Sequence, residues 1–146
     1  VAVICEELGA EMLNRSTALQ TLVEDFVVGA MGVNNVTQHF RRGVLLITPG
    51  DREDILLAAA AAAGDGDSPR LAGIILTGSL RPCKAVLDVI QGMPFPVLLA
   101  KQDSYEVAST VHVMTVKTRP DDAKKISIIR DLIAQHVDVE RILKAL

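Results

Sequence analysis

Val44-Leu45-Leu46-Ile47-Thr48, Pro49-Gly50-Asp51-Arg52, then Glu53-Asp54-Ile55-Leu56-Leu57 and an alanine run to Ala63: the reading of this stretch decides the fold. Residues 44–47 are apolar without alternation, the pattern of a strand buried on both faces. Pro49 and Gly50 punctuate it. Residues 53–63 are rich in strong helix formers, and their small alanines permit close packing against a sheet or a partner helix. The same rhythm returns at Leu71-Ala72-Gly73-Ile74-Ile75-Leu76, followed by the polar turn Thr77-Gly78-Ser79. Strand, glycine turn and helix in repetition specify a parallel α/β sheet. In such sheets the loops leaving the carboxyl ends of the strands share one edge, where ligands usually sit. Gly50, Asp51, Arg52, Thr77, Gly78 and Ser79 are therefore candidates for one shared site.

Upstream, Asp25-Phe26-Val27-Val28-Gly29 reads as another strand with Gly29-Ala30-Met31-Gly32 as its exit. A helix is predicted over 33–42, capped by Asn34 or Asn35 and stopped by Gly43. Residues 1–8 fit a short helix or a strand, Gly9 fits a helix stop, 10–13 a short strand and 14–20 a polar loop. Downstream, residues 64–69 form a polar loop. Pro82 opens a helix to about Gln91, with Gly92 as its stop. Pro96-Val97-Leu98-Leu99-Ala100 is a short buried strand. Asp103-Ser104-Tyr105-Glu106 has capping-box spacing for a helix through Met114. Residues 115–117 read as an extended link. Residues 118–121 open a long helix to about His136, with apolar positions 123, 126, 129, 132 and 133 on one stripe. Asp138 is placed to cap a last helix over 139–146. The expectation is one α/β domain over 1–146, a mostly parallel sheet flanked by helices, with a helical segment at about 119–146. The exits at Gly29, Gly50, Gly78 and Asp103 are predicted to share one edge.

The chain has 146 residues, enough for one domain with a real core. Hydrophobic residues make up 49%, so a packed globule is expected, and aromatics only 3%, so Val, Ile, Leu and Ala must build its core. Few aromatics and a net charge of -3 argue against nucleic-acid binding. No apolar run approaches the ~20 residues of a membrane helix. Cys5 and Cys83, far apart, suggest reduced thiols in a cytoplasmic protein. The chain starts at Val1 and opens directly into a patterned segment, as expected of a piece of a longer polypeptide. His39, His112 and His136 are scattered, which disfavours a metal site. No phosphate-binding Gly motif of the Walker or dinucleotide type occurs, so no cofactor is expected.

Each exit turn admits two readings. Arg52, with the free N–H groups of the following helix, suits a phosphate or carboxylate; equally, Asp51 caps the helix and Arg52 serves a structural ion pair. Thr77 and Ser79 suit a ligand or simply close their turn, with Gly78 allowing positive φ. Arg81 is close enough in sequence to reach the same edge. Asp103 reads as a cap, and Tyr105, the only tyrosine, as a hydrogen-bonding group for a ligand or a neighbouring subunit. Gly29 and Met31 belong to the fourth exit.

At these residues the chain resembles the DRTGG domain, a family named for an Asp-Arg pair and a later Thr-Gly-Gly. Here the pair is Asp51-Arg52 and the later motif is Thr77-Gly78-Ser79, with Ser79 departing from the second glycine. Val28-Gly29-Ala30-Met31, residues 46–52 and Asp103-Ser104-Tyr105-Glu106-Val107-Ala108 also fit the family pattern, and the likeness extends to about His136. It is particularly similar to the DRTGG region of long bacterial phosphate acetyltransferases, which lies between a P-loop domain of the CobB/CobQ-like type and the catalytic domain. The resemblance implies an HPr kinase N-terminal/DRTGG-like α/β fold and a regulatory or assembly role. The first expectation is thus a non-catalytic regulatory and oligomerisation module, partnered by a second copy and by neighbouring domains of its polypeptide. A module sensing an anionic metabolite or nucleotide is the second. The third is a small enzyme with Asp51 or Asp103 as base and Arg52 as electrophile.

Overall fold

The computed structural model describes residues 1–64, 71–114 and 123–137. It divides into two compact units, Val1–Met114 and Thr115–Leu146. The first contains a five-stranded sheet of order β1-β5-β4-β3-β2. Its strands are β1 (Glu11–Met12), β2 (Asp25–Val28), β3 (Val44–Pro49), β4 (Gly73–Thr77) and β5 (Val97–Leu99). Strands β2 to β5 are parallel in sequence order, and β1 joins the outer edge of β5 antiparallel. The mostly parallel sheet is as predicted.

The two-residue period of the strands divides the core. Val44 and Leu46 of β3, Ile74 and Leu76 of β4 and Val97 of β5 face one layer. That layer holds Val36 of α2 (Val33–Val36), Ile55, Leu56 and Ala59 of α3 (Glu53–Gly64), and Val86 and Ile90 of α4 (Lys84–Gln91). Leu45, Ile47, Ile75 and Leu98 face the other layer, with Ile4 and Leu8 of α1 (Ala2–Leu8) and Val107 of α5 (Ser104–Val113). Each Leu or Ile wholly withdrawn from water contributes roughly 1.5–3 kcal/mol, so the continuous apolar runs of β3 and β4 anchor both layers. Because strands 2 to 5 advance in one direction, right-handed crossovers put α2, α3 and α4 on one face. After β5 the chain returns to the face of α1, where α5 shares its layer.

Several local readings change. Residues 1–8 resolve as helix, ended by Gly9 at φ 56° as its left-handed cap. The helix predicted over 33–42 is a single turn, Val33–Val36, followed by a 3-10 turn Thr37–His39. Val33, Asn34, Asn35, Val36 and Thr37 are poor helix formers, and the turn is sustained by packing, with Val36 in the core and Val33 against it. Gly32, rather than Asn34 or Asn35, is its N-cap, without a side-chain bond. The polar loop 64–69 beyond Gly64, the link 115–117, the cap at 118–121, Asp138 and the helix 139–146 lie outside the described residues. In the second unit, α6 spans Ala123–His136 and leaves Ile128, Ile129, Leu132 and Ile133 exposed. No helix among the described residues is long and apolar enough to cross a membrane.

Candidate functional site

All four exit turns leave the carboxyl ends of parallel strands, and two of them touch. Gly50 is buried against the backbone of Leu80: a Cβ placed there would lie 1.6 Å from the Leu80 carbonyl oxygen. The turn after β3 therefore seats directly on the turn after β4, and only glycine permits it. Gly29 is likewise buried, its would-be Cβ 3.2 Å from both Thr48 and Ile55.

Arg52 is the first candidate, and its guanidinium is committed within the fold. Nε and Nη2 donate to the two carboxylate oxygens of Asp54, each at 2.9 Å. Nη2 also donates to the Met31 carbonyl at 3.1 Å, and Nη1 to the Gly29 carbonyl at 3.4 Å. A planar fork suits this simultaneous service, which a lysine could not supply. The pairing raises the Arg52 pKa and holds the Asp54 carboxyl below its ordinary range, in both cases chiefly through their shared hydrogen bond. Asp51 neither caps the helix nor hydrogen-bonds Arg52, though its charge helps to raise the Arg52 pKa. It is exposed, and the Arg52 carbonyl accepts the first helical N–H groups, from Ile55 and Leu56. The Pro49–Arg52 turn places the cap one residue later than the Asp-x-x-Asp spacing suggested, because Arg52 N–H bonds back to the Pro49 carbonyl at 3.1 Å.

Thr77-Gly78-Ser79 forms a turn with positive φ at both central residues, 74° at Gly78 and 57° at Ser79. Those are the conformations of a type I′ turn. A second glycine would adopt them freely; Ser79 adopts the same conformation at some cost. The amides of this turn do not point into an open cradle. Gly78 N–H donates to the Gln102 carbonyl at 2.7 Å and Ser79 N–H to the Ala100 carbonyl at 3.0 Å. Thr77 Oγ1 meets Ser104 Oγ at 2.7 Å. Asp103 accepts from Glu106 N–H at 2.8 Å while the Glu106 carboxylate accepts from Asp103 N–H, the capping box read from the sequence. Tyr105 beside it is 80% exposed. The exits are thus stitched to one another: Arg52 and Asp103, the proposed electrophile and one proposed base, are occupied by loop and helix contacts, while Asp51 stays exposed.

Two signals escaped the sequence. Buried Asn14 lies in the predicted polar loop. Its Nδ2 donates to the carbonyls of Ile90, Met93 and Phe95, and its Oδ1 accepts from Val97 N–H at 3.0 Å. It ties the end of α4 to the start of β5 from 76 or more residues away, a distance no local pattern encodes. The other is a groove of about 250 Å³ beside the β4 and β5 exits, lined by Gly9, Glu11, Ser79, Arg81, Leu99, Ala100 and Lys101. Arg81 Nη2 pairs with Glu11 Oε2 at 2.6 Å there. A second hollow, about 190 Å³, lies between α3 and α4 and is lined by Ala60, Ala63, Val89 and Met93 with no charged side chain. Cys5 and Cys83 are free thiols, and burial raises the Cys5 pKa. No group of three or more His, Cys, Asp or Glu placed to hold a metal occurs among the described residues.

Comparison with known proteins attaches this geometry to a family. The DRTGG domain matches residues 3–114, almost the whole of the first compact unit. The chain belongs to the DRTGG domain family. The chain is 36% identical over 134 residues to a phosphate acetyltransferase of Nitratidesulfovibrio vulgaris, covering 90% of this chain and 19% of that protein. It is 33% identical to the phosphate acetyltransferase of Pseudomonas aeruginosa, with 94% and 20% covered, and 31% identical to that of Nitrosomonas europaea, with 99% and 21% covered. The chain spans about a fifth of the length of these relatives. Among solved structures it resembles the CBS and DRTGG domains of the regulatory region of Clostridium perfringens pyrophosphatase, determined with the activator diadenosine tetraphosphate. The TM-score is 0.57 at 18% identity, covering 91% of this chain and 58% of that one, which establishes a shared fold. The residues that give the DRTGG domain its name, Asp51-Arg52 and Thr77-Gly78, mark the two turns that close the strand-exit edge.

Proposed function

We propose that this DRTGG domain is a non-catalytic regulatory module of a phosphate acetyltransferase-like polypeptide, transmitting binding or assembly to a reaction centre on another domain. The observation that carries this reading is the closed edge. Arg52 serves Asp54 and two carbonyls, the Gly78 and Ser79 amides serve the β5 exit, and Asp103 serves α5. A reaction centre needs groups aimed at where substrate charge develops, whereas these groups stabilise the domain itself. Relatives named phosphate acetyltransferase, of which it matches only a fifth, support a place within a longer enzyme. A pyrophosphatase regulatory region of the same fold, solved with a nucleotide activator, supports a role in regulation. Helix α6 of the second unit serves in this reading as the connection to a neighbour or to a second copy.

The isolated chain, assayed for acetyl exchange between acetyl-CoA and phosphate, is expected to give no turnover above the uncatalysed rate. Turnover that survives repurification and is lost in Arg52→Ala or Asp103→Asn would contradict the proposal.

A further inference from the structure

The connections from β4 and β5 leave the sheet in opposite directions. The β4 exit leads to α4, whose Val86 and Ile90 pack in one layer; the β5 exit leads to α5, whose Val107 packs in the other. Adjacent parallel strands whose connections diverge in this way open a crevice at their carboxyl ends, the usual ligand position in open α/β sheets. In this domain the throat of the crevice is closed by the Gly78 and Ser79 N–H bonds to Gln102 and Ala100. Its β1 side stays open as the groove of about 250 Å³. That volume is below the range of drug-sized pockets and suits a small metabolite.

The groove has the chemistry of an anion site. Arg81 and Lys101 bring two positive charges, and Glu11 one negative. Glu11 engages Nη2 of Arg81 alone, and no other acceptor among the described residues binds this guanidinium. Neither Lys101 Nζ nor Ser79 Oγ has a partner among the described residues. Ser79 is held at the groove in a left-handed conformation that a non-glycine residue seldom adopts. Such outliers concentrate at ligand clamps.

We propose that this groove binds a small phosphate-bearing anion between Arg81, Lys101 and Ser79, with the Glu11 carboxylate as a built-in stand-in that the anion displaces. A guanidinium paired to a carboxylate presents the same fork to a phosphate. Displacement of an exposed ion pair, 48% and 57% accessible at Arg81 and Glu11, exacts little. The site deepens the regulatory reading, on which it rests, by giving the module a ligand class. The anion's source is inorganic phosphate, an acyl phosphate or a nucleotide phosphate.

Isothermal titration of the full chain with inorganic phosphate, acetyl phosphate and adenosine diphosphate tests the site, and the tightest probe identifies the source. One-to-one binding at roughly 1 mM or tighter is expected for at least one probe. Arg81→Gln and Lys101→Gln should each weaken it about tenfold or more, the scale of a lost charge-assisted hydrogen bond. Glu11→Gln should tighten it roughly fivefold, the scale of one unit charge a few ångströms away in a water-like medium. Arg42→Gln, an exposed charge outside the groove, should change nothing. Absence of saturable heat with all three probes would overturn the site, as would binding indifferent to Arg81, Lys101 and Glu11. Either failure is separable from failure of the regulatory reading, which is read by acetyl exchange in the isolated chain.

Discussion

Asn14→Ala should be among the most damaging single changes outside the sheet. It leaves Val97 N–H and the Met93 and Phe95 carbonyls without this partner in a buried place, while the Ile90 carbonyl keeps the Met93 N–H, and a cost of about 3 kcal/mol in urea unfolding is expected. Asn14→Asp should cost more, because an acceptor-only carboxylate would face those three carbonyls. Gly50→Ala should cost about 3 kcal/mol or more through its clash with the Leu80 backbone. Gly78→Ala meets nothing closer than 3.6 Å and should cost only the roughly 1–2 kcal/mol of a left-handed alanine. Ser79→Gly should gain up to about 1 kcal/mol by removing the same strain. Arg52→Ala should cost about 1.5–3 kcal/mol, for the exposed Asp54 pair together with the charge-assisted bonds to the Gly29 and Met31 carbonyls. A larger loss would require a buried carboxylate, and Asp54 is 49% exposed. Its carboxyl titrates below the usual range when folded, so the pair's contribution is present above about pH 4 and fades as acid protonates it. Solvent screening keeps that contribution under about 1 kcal/mol. Acid unfolding of Asp54→Asn should therefore show a slightly shallower loss of stability below pH 4 than the parent. At this scale the sequence singled out Gly50, Arg52 and Gly78, because glycine and arginine in turns carry local signals. Asn14 was invisible, since its partners lie in another third of the chain.

Elements were legible where one force dominates. The apolar runs of β3 and β4 leave no alternative to a buried strand, and the α5 capping box is a local hydrogen-bond code. The segment 1–8 stayed open between helix and strand because its apolar residues satisfy either period. The 33–42 segment read as too long a helix because its terminal signals are clear while its interior propensity is poor. Helix α6 bears the predicted stripe, and Ile129, Leu132 and Ile133 on it are exposed together with Ile128. In the assembly reading, this stripe meets a second copy. Light scattering at tens of micromolar, a rough working range for weak association, should then report a dimer or larger, and Leu132→Asp with Ile133→Asp should shift it toward monomer. A monomeric parent chain at that concentration would contradict self-association.

For the whole molecule, strand–turn–helix rhythm implied the sheet, the shared carboxyl edge and the two covering layers. It did not imply that the edge is sewn shut, since the bonds from Gly78 and Ser79 to the β5 exit depend on strands meeting side by side in the finished sheet. The functional consequence follows from that closure: Arg52, Gly78, Ser79 and Asp103 are spent on holding loops and a helix start together. The most direct test is excision of this domain from a full-length acetyltransferase of its family, with kcat for acetyl transfer measured at saturating substrates. The account predicts a kcat within a few-fold of the intact enzyme, with altered effector response or assembly. A kcat lowered by about 10³ or more, the scale of a missing catalytic group, in an excised enzyme that remains folded would contradict it.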